Sequence, residues 1–185
     1  MRVTDGTLRR KQLRHTDSGA LRPTARRLRE TLFDFLTPHI TGARFLDLCA
    51  GTGAVGIEAL SRGAQHVTFI EREAQTCKTL RANLATCGIK DTQFEIVQDD
   101  AAHFLAQADA HAPWDISFFD PPYATDYLPA LELLGAHADT LLAPGGVLVV
   151  EHHHKNALKD AAGRLRRWRI ITMGQSCLSF YERRR

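Results

Sequence analysis

Two stretches hold residues whose types and spacing could do chemistry. The first, Asp47-Leu-Cys-Ala-Gly51-Thr-Gly53-Ala-Val-Gly56, is a glycine-rich turn, with Glu71 following 20 residues after Gly51. Its glycines let the backbone turn tightly and approach a ligand with no Cβ in the way. An acid at the Glu71 spacing can accept two hydrogen bonds from ribose hydroxyls. The second stretch is Phe118-Phe-Asp120-Pro121-Pro122-Tyr123. Its consecutive prolines stiffen the loop and remove two amide donors. Carbonyls and the Asp120 carboxylate are left pointing outward beside a ring that can stack. Such a site suits an amino group on a flat base: Asp120 and the Pro121 carbonyl would hold the two N–H protons, while Tyr123 would stack on the extruded base.

The glycine motif fits NAD and S-adenosylmethionine alike. Asp47 favours the second, because a carboxylate four residues before the first glycine is badly placed beside a pyrophosphate and well placed near a cationic methionyl group. Length points the same way: a dehydrogenase needs a substrate domain, and 185 residues leave little room for one. In Val97-Gln-Asp99-Asp100-Ala101, Asp100 can accept from an adenine amino group while the Ala101 amide donates to the ring, with Asp99 as the rival acceptor. Joined to the Asp120 stretch, this cofactor implies an in-line methyl displacement by an amine lone pair, in which positioning does most of the work.

The elements that must position these residues can be read from Arg44 onward, where short apolar runs alternate with longer amphipathic ones. Phe45–Leu48, His66–Ile70, Phe94–Val97, Trp114–Phe119 and Gly146–Val150 read as strands, followed by helices over 53–62, 73–86, 101–108, 127–138 and 157–165. Serial strand–helix units with right-handed crossovers give an α/β, doubly wound, mostly parallel sheet. Both chemical stretches then fall at strand carboxyl ends, where such sheets bind ligands. Two further strand-like runs, 168–172 and 176–181 separated by Met-Gly-Gln, predict a closing antiparallel hairpin. At the other end, Val3 to Leu13 reads as a small hairpin, and Pro23-Thr24 opens a helix with Leu28, Leu32, Phe35 and Leu36 facing inward. The expected organisation is a basic hairpin-and-helix extension over 1–40 and a Rossmann-like domain over 41–185.

Composition narrows the setting. The chain is 44% hydrophobic and 24% charged, ordinary for a soluble globular protein, and its longest apolar runs fall well short of a membrane span. With no apolar leader, and with Asp5, Asp17 and Glu30 interrupting the Arg-rich start, the expectation is a cytoplasmic monomer. Cys49, Cys77, Cys87 and Cys177 have no Cys-x-x-Cys spacing, so free thiols are expected and no metal is required. His152-His-His154 does not change this, since consecutive residues in an extended chain point alternately apart. Charge is segregated: residues 1–44 carry +6, 45–154 carry −10 and 155–185 carry +7. Basic ends around an acidic middle suggest a polyanionic partner.

Together these residues resemble the RsmD-type bacterial 16S rRNA (guanine-N2)-methyltransferases. The likeness spans nearly the whole chain: the amino-terminal hairpin, Arg22-Pro23-Thr24 with Arg29-Glu30-Thr-Leu-Phe33, the run from Phe45 to Ala64, Glu71, Asp120-Pro-Pro-Tyr123, the strand from Pro144 to Glu151, and Tyr181-Glu-Arg183. The resemblance implies a Rossmann-like S-adenosylmethionine-dependent methyltransferase fold and methylation of a guanine amino group in 16S rRNA, within the 30S subunit or an assembly intermediate. It implies that Asp120, Pro121, Pro122 and Tyr123 present the amine. It also implies that Asp47, Gly51, Gly53, Glu71, Asp100 and Ala101 hold the cofactor, with Thr24 near its methionyl end. Arg9, Arg10, Lys11, Arg14 and Arg22 are expected to meet RNA phosphates. Cys49 departs from the family, which more often has an aromatic residue there, and the histidine triplet has no counterpart. Asp-Pro-Pro-Tyr also serves DNA adenine and cytosine amino-methyltransferases, so DNA remains an alternative target. An NAD(P)-linked oxidoreductase and a non-catalytic RNA-binding module are the more distant alternatives.

Overall fold

A computed structural model describes residues 1–15, 23–107, 113–122 and 127–184, with the side chains of 23–25 outside that description. The chain runs α1 (Pro23–Ile40), β1 (Arg44–Leu48), α2 (Ala54–Ser61), β2 (His66–Ile70), α3 (Ala74–Cys87), β3 (Phe94–Val97), α4 (Ala101–Ala106), β4 (Trp114–Phe119), α5 (Tyr127–Ala136), α6 (Ala138–Leu141), β5 (Leu142–His153), β6 (Ala161–Ala162), β7 (Leu165–Met173) and β8 (Ser176–Arg183). The sheet order is β3-β2-β1-β4-β5-β8-β7-β6. The first five strands in that order are parallel, and β8, β7 and β6 continue antiparallel. From β1 the chain winds outward to β2 and β3, then returns to the other side of β1 to lay down β4 and β5. The crevice at the carboxyl ends of β1 and β4 is therefore the topological switch point.

The central strands are apolar without a break because both faces of the sheet are covered. Phe45, Phe69, Phe118 and Val149 pack on one face with Leu32, Phe33 and Ile57, whereas Leu46, Leu48, Phe119 and Val150 pack on the other with Leu105, Leu131 and Leu134. Inward-facing Leu28, Leu32 and Leu36 are buried as the helical spacing predicts. Phe33 is fully buried as well, and Phe35 is only partly so, its ring 5.5 Å from that of Phe180.

One expected element is absent. Residues 157–165 do not form a fifth crossover helix; β5 leads through turns into β6, and Ala162 pairs with Leu165. The spacing of Ala157, Leu158, Ala161, Ala162 and Leu165 fits a helix, but the 163–164 turn docks on α5 instead, with Arg164 N donating to Gly135 O at 3.1 Å. The closing hairpin is longer than expected and its loop shorter, because Met173 pairs directly with Ser176.

Residues 1–14 form a strap over α2 and α3. Arg2 and Gln12 bridge antiparallel, and Val3 and Leu13 enter the core cluster that contains Phe45 and Phe118. Polar side chains beneath the strap hold it down. Glu58, fully buried on α2, accepts from Thr4 N at 2.8 Å and Asp5 N at 3.0 Å, and pairs with Arg62 at 2.9 Å. Arg29 on α1 donates to Arg2 O at 2.9 Å and lies 3.6 Å from Glu58. At the far end, Asn83 Oδ1 accepts from Arg14 N at 2.8 Å.

Candidate active site

A cavity of about 520 Å³ opens at the switch point. Its walls come from the turn after β1 (Cys49, Gly51), the end of β2 (Ile70, Glu71, Arg72), the start of α4 (Asp99 to Ala102, Leu105) and the end of β4 (Phe119 to Pro122), with Ala130 of α5. Of the predicted site residues, Gly51, Glu71, Asp100, Ala101, Asp120, Pro121 and Pro122 are brought together here. Tyr123, Arg22 and the side chain of Thr24 lie outside the described residues.

The three glycines do different work. A Cβ on Gly51 would meet nothing within 4 Å, so this residue borders open space. On Gly53, which has φ +84°, a Cβ would come 2.2 Å from Leu80 Cδ1, and on Gly56 it would come 2.2 Å from the Phe69 ring. Those two let α2 settle against α3 and the sheet.

Glu71 braces the turn. Its Oε2 accepts from Gly51 N and its Oε1 from Glu73 N, both at 2.9 Å. Each oxygen keeps a further lone pair for a ligand hydroxyl. Across the cavity, Asp100 caps α4 by accepting from Ala102 N at 2.9 Å, with only its Oδ1 so engaged. Asp99 is occupied by Asp100 N at 2.8 Å and by His103 Nδ1 at 2.7 Å.

Asp47 does not line the cavity. It lies under the glycine turn, 2% exposed, and its Oδ2 accepts from Gly56 N at 2.9 Å. Burial pushes its carboxyl up to about 7; the Gly56 amide opposes that shift, and the charges of Asp120 and Glu71 reinforce it. Asp120 extends β4 by one residue, with its amide directed at Leu48 O, 3.5 Å away.

Sequence reasoning passed over three features of this region. Cys49 lines the cavity with φ +64°, a left-handed backbone that nothing in its residue type announces. Burial, followed by the charges of Asp120 and Glu71, pushes its thiol up to about 12, so it stays protonated. Phe119 supplies an apolar wall. Glu151 lies within β5, one residue beyond Val150, and Asp120 lies one residue beyond Phe119; since Phe119 pairs with Val150 in parallel register, the two acids stand side by side. Burial holds both well above the ordinary carboxylate range, and the charge of Asp120 raises Glu151 further. The triplet histidine His152 is 2% exposed and takes a core role, its Nε2 2.9 Å from Ser179 Oγ.

The cavity is thus an acidic, half-apolar crevice with acceptors at two separated ends and a rigid Pro121-Pro122 lip. Its size is ordinary for a nucleoside-sized ligand. Glu71, Asp99, Asp100 and Asp120 all border this crevice, so a cation placed among them would be attracted and a pyrophosphate repelled.

Comparison with known proteins agrees with this geometry. The family described as conserved hypothetical protein 95 matches residues 1–182. Ribosomal RNA small subunit methyltransferase D of Escherichia coli (strain K12) is 37% identical over 184 residues, covering 99% of this chain and 90% of that protein. The Bacillus subtilis protein YlbH is 33% identical over 185 residues, spanning the whole of both chains. Among solved structures, the Escherichia coli protein yhhF superposes with a TM-score of 0.85 at 35% identity, over 100% of this chain and 98% of that one. With its strand order, its cavity and its full-length relatives in accord, the chain belongs to the conserved hypothetical protein 95 family, the RsmD family of ribosomal RNA small subunit methyltransferases.

Proposed function

We propose that this protein transfers a methyl group from S-adenosylmethionine to the exocyclic N2 amino group of a guanine in 16S rRNA. The proposed substrate is the 30S subunit or an assembly intermediate of it, and the enzyme acts as a cytoplasmic monomer. The observation that carries this reading is the Asp120-Pro121-Pro122 lip on the same cavity that the Glu71-braced glycine turn borders. An amine acceptor and a nucleoside cradle share one crevice.

The residues present fit the cofactor. Glu71 would take the ribose hydroxyls on its free lone pairs, Asp100 Oδ2 the adenine amino group, and the Ala101 amide a ring nitrogen. Asp100 is preferred to Asp99, whose carboxylate is taken up by His103. Phe119 and Leu105 would flank the base. Asp47 would act from beneath, fixing the Gly56 amide and adding negative charge. Thr24 would lie at the methionyl end. When bound, the cofactor supplies an electrophilic methyl group on a positively charged sulfur.

Asp120 and the Pro121 carbonyl would accept the two N–H bonds of the guanine amine and aim its lone pair. The Asp120 carboxylate, held by burial in a range where it can take up a proton near neutrality, is placed to receive the one that the amine releases. Tyr123 would stack on the extruded base. Arg9, Arg10, Lys11 and Arg14 are exposed on the strap. Asn83 ties that strap to the glycine turn, donating to both Arg14 O at 3.0 Å and Thr52 O at 2.9 Å. Phosphates bound along the strap, and by Arg22, would be held beside the crevice.

Transfer from labelled S-adenosylmethionine to small subunits lacking their native modifications tests the proposal, with naked rRNA and DNA run alongside. N2-methylguanosine in digested subunit RNA is the expected product. Label only in N6-methyladenine or N4-methylcytosine of DNA would keep the amine chemistry and overturn the target.

A further inference from the structure

The last strands carry a surface that the methyl-transfer crevice does not use. Trp168 lies at a register shift in β7, between Arg167, which pairs with Tyr181, and Arg169, which pairs with Phe180. Such a bulge re-aims a side chain. Here it leaves Trp168 46% exposed, with its ring centroid 5.5 Å from that of Phe180. Trp168 borders a cleft of about 390 Å³ together with Arg166, Arg167, Arg169, Arg184 and Asp160. Arg167 is held by Asp160 and by Ser179 Oγ, which neutralises the cleft's one acid. Arg169 stacks over Phe35, 5.2 Å from the ring centroid. Among the described residues, the exposed side chains of Arg166 and Arg184 make no hydrogen bond or ion pair. Past Arg167, the outer edge of β7 has no strand beside it among the described residues.

We infer that this cleft is a second RNA-docking surface, in which phosphates of a single-stranded stretch meet Arg166 and Arg184 while one base stacks on Trp168. The inference rests on the proposed rRNA substrate and adds a contact outside its reactive site. Register puts the two sites apart. Trp168 lies three strands from Asp120 and about two to three residues lower along the strand direction, because Arg169 is level with Val149 and Asp120 with Glu151. At strand spacings of ~4.8 Å and rises of ~3.3 Å the separation is roughly 15–20 Å, beyond the reach of the target nucleotide itself.

Charge selects the partner. The cleft lining holds four arginines against one aspartate, and the guanidinium fork suits phosphate oxygens. An indole offers a face on which any base can stack. A protein strand adding to the β7 edge would instead meet a row of arginines, the kind of charge that protects open edges from such pairing.

Intrinsic fluorescence provides a direct readout, because the other tryptophan, Trp114, is 2% exposed and hydrogen-bonded to Thr68 Oγ1. Titration with a single-stranded oligoribonucleotide at low salt should quench emission in the wild type and not in Trp168→Leu. Arg166→Ala/Arg184→Ala should weaken RNA binding about tenfold and lower the slope of log affinity against log salt by about two. That variant should also raise KM for small subunits while leaving kcat and S-adenosylmethionine affinity unchanged. Unquenched emission together with an unchanged salt slope would overturn the inference. A KM effect on intact subunits with no effect on naked rRNA would also overturn it, assigning the surface to a ribosomal protein. Quenching in an enzyme that methylates no RNA would retain the docking surface and remove the proposed reaction.

Discussion

Asp120 and Glu71 border one cavity but are placed for different work, and their loss should separate. Asp120→Ala is expected to lower single-turnover methyl transfer by about a hundredfold or more while leaving S-adenosylmethionine affinity nearly intact. Glu71→Ala removes the brace on Gly51 N and the proposed ribose acceptor together, so calorimetry should show affinity falling first, by roughly ten- to a hundredfold. Parallel loss of both properties in Asp120→Ala would remove Asp120 from the amine site. Burial raises Asp120 to about 7, and the ionised carboxylate is the form that would accept from the amine. kcat/KM should therefore climb with pH through a limb well above the ordinary carboxylate value of about 4, and a limb near that value would contradict the assignment. The place of Asp120, Pro121 and Pro122 on the cavity was legible because they are contiguous in the chain and end a strand. The backbone of Cys49 and the neighbour relation of Glu151 to Asp120 were not, because a strained turn and a cross-strand register exist only after folding. Asp47 was legible as an acid at the turn; that it grips the Gly56 amide from below follows from a side-chain direction that spacing leaves open.

Helix α2 links the glycine turn to the strap. Its start is shaped by the glycine turn, and its middle carries Glu58, fully buried and shared by Thr4, Asp5, Arg62 and Arg29. This one side chain fastens the basic strap to the fold. Glu58→Ala would leave Arg29, 8% exposed, without its acid, and removing one partner of a buried pair costs about 3 kcal/mol or more. Chemical denaturation should show that loss, and the amides of Val3, Thr4 and Leu13 should exchange faster than those of β1 and β4. Equal protection across strap and sheet would mean the strap is held by Val3 and Leu13 alone. Strands and helices from Arg44 to the end of β5 were legible because apolar periodicity and turn residues agree there. Residues 157–165 were misread because their helical spacing lost to a long-range contact: a Cβ on Gly135 would come 2.2 Å from Ala162 O, so the α5 backbone approaches that segment closely. No local pattern announces such an approach.

At the scale of the whole molecule, charge is sorted by purpose, and the sorting has a thermodynamic consequence. The basic ends fold to the strap and to β7–β8, while the acidic middle supplies the crevice. The sequence displayed this segregation plainly, although not that Asp47, Asp120 and Glu151 would lie where burial raises all three and the charge of Asp120 raises the other two further. Asp47 is raised from 3.8 to about 7. The unfolded chain releases that proton near its ordinary value, and the folded chain keeps it until about 7. In between, the folded state binds more protons, so this group's contribution to stability is full below the ordinary value and drains away as pH rises through the folded one. Asp120 and Glu151 act in the same direction. His66 and His152, pushed down by burial, act oppositely below about 6.5, so a variant comparison is needed to isolate the acid. Asp47→Asn keeps an oxygen for the Gly56 amide and cannot ionise. Denaturation midpoints of the ligand-free protein, taken at intervals from pH 5 to 8, should fall more steeply with pH in the wild type than in Asp47→Asn, and at pH 8 the variant should be the more stable of the two. S-adenosylmethionine should reverse that order, because its cationic sulfur stabilises the ionised crevice of the wild type and finds less negative charge in the variant. Identical pH profiles for the two proteins would show that the fold does not raise Asp47, and any fall of stability with pH would then come from Asp120 and Glu151.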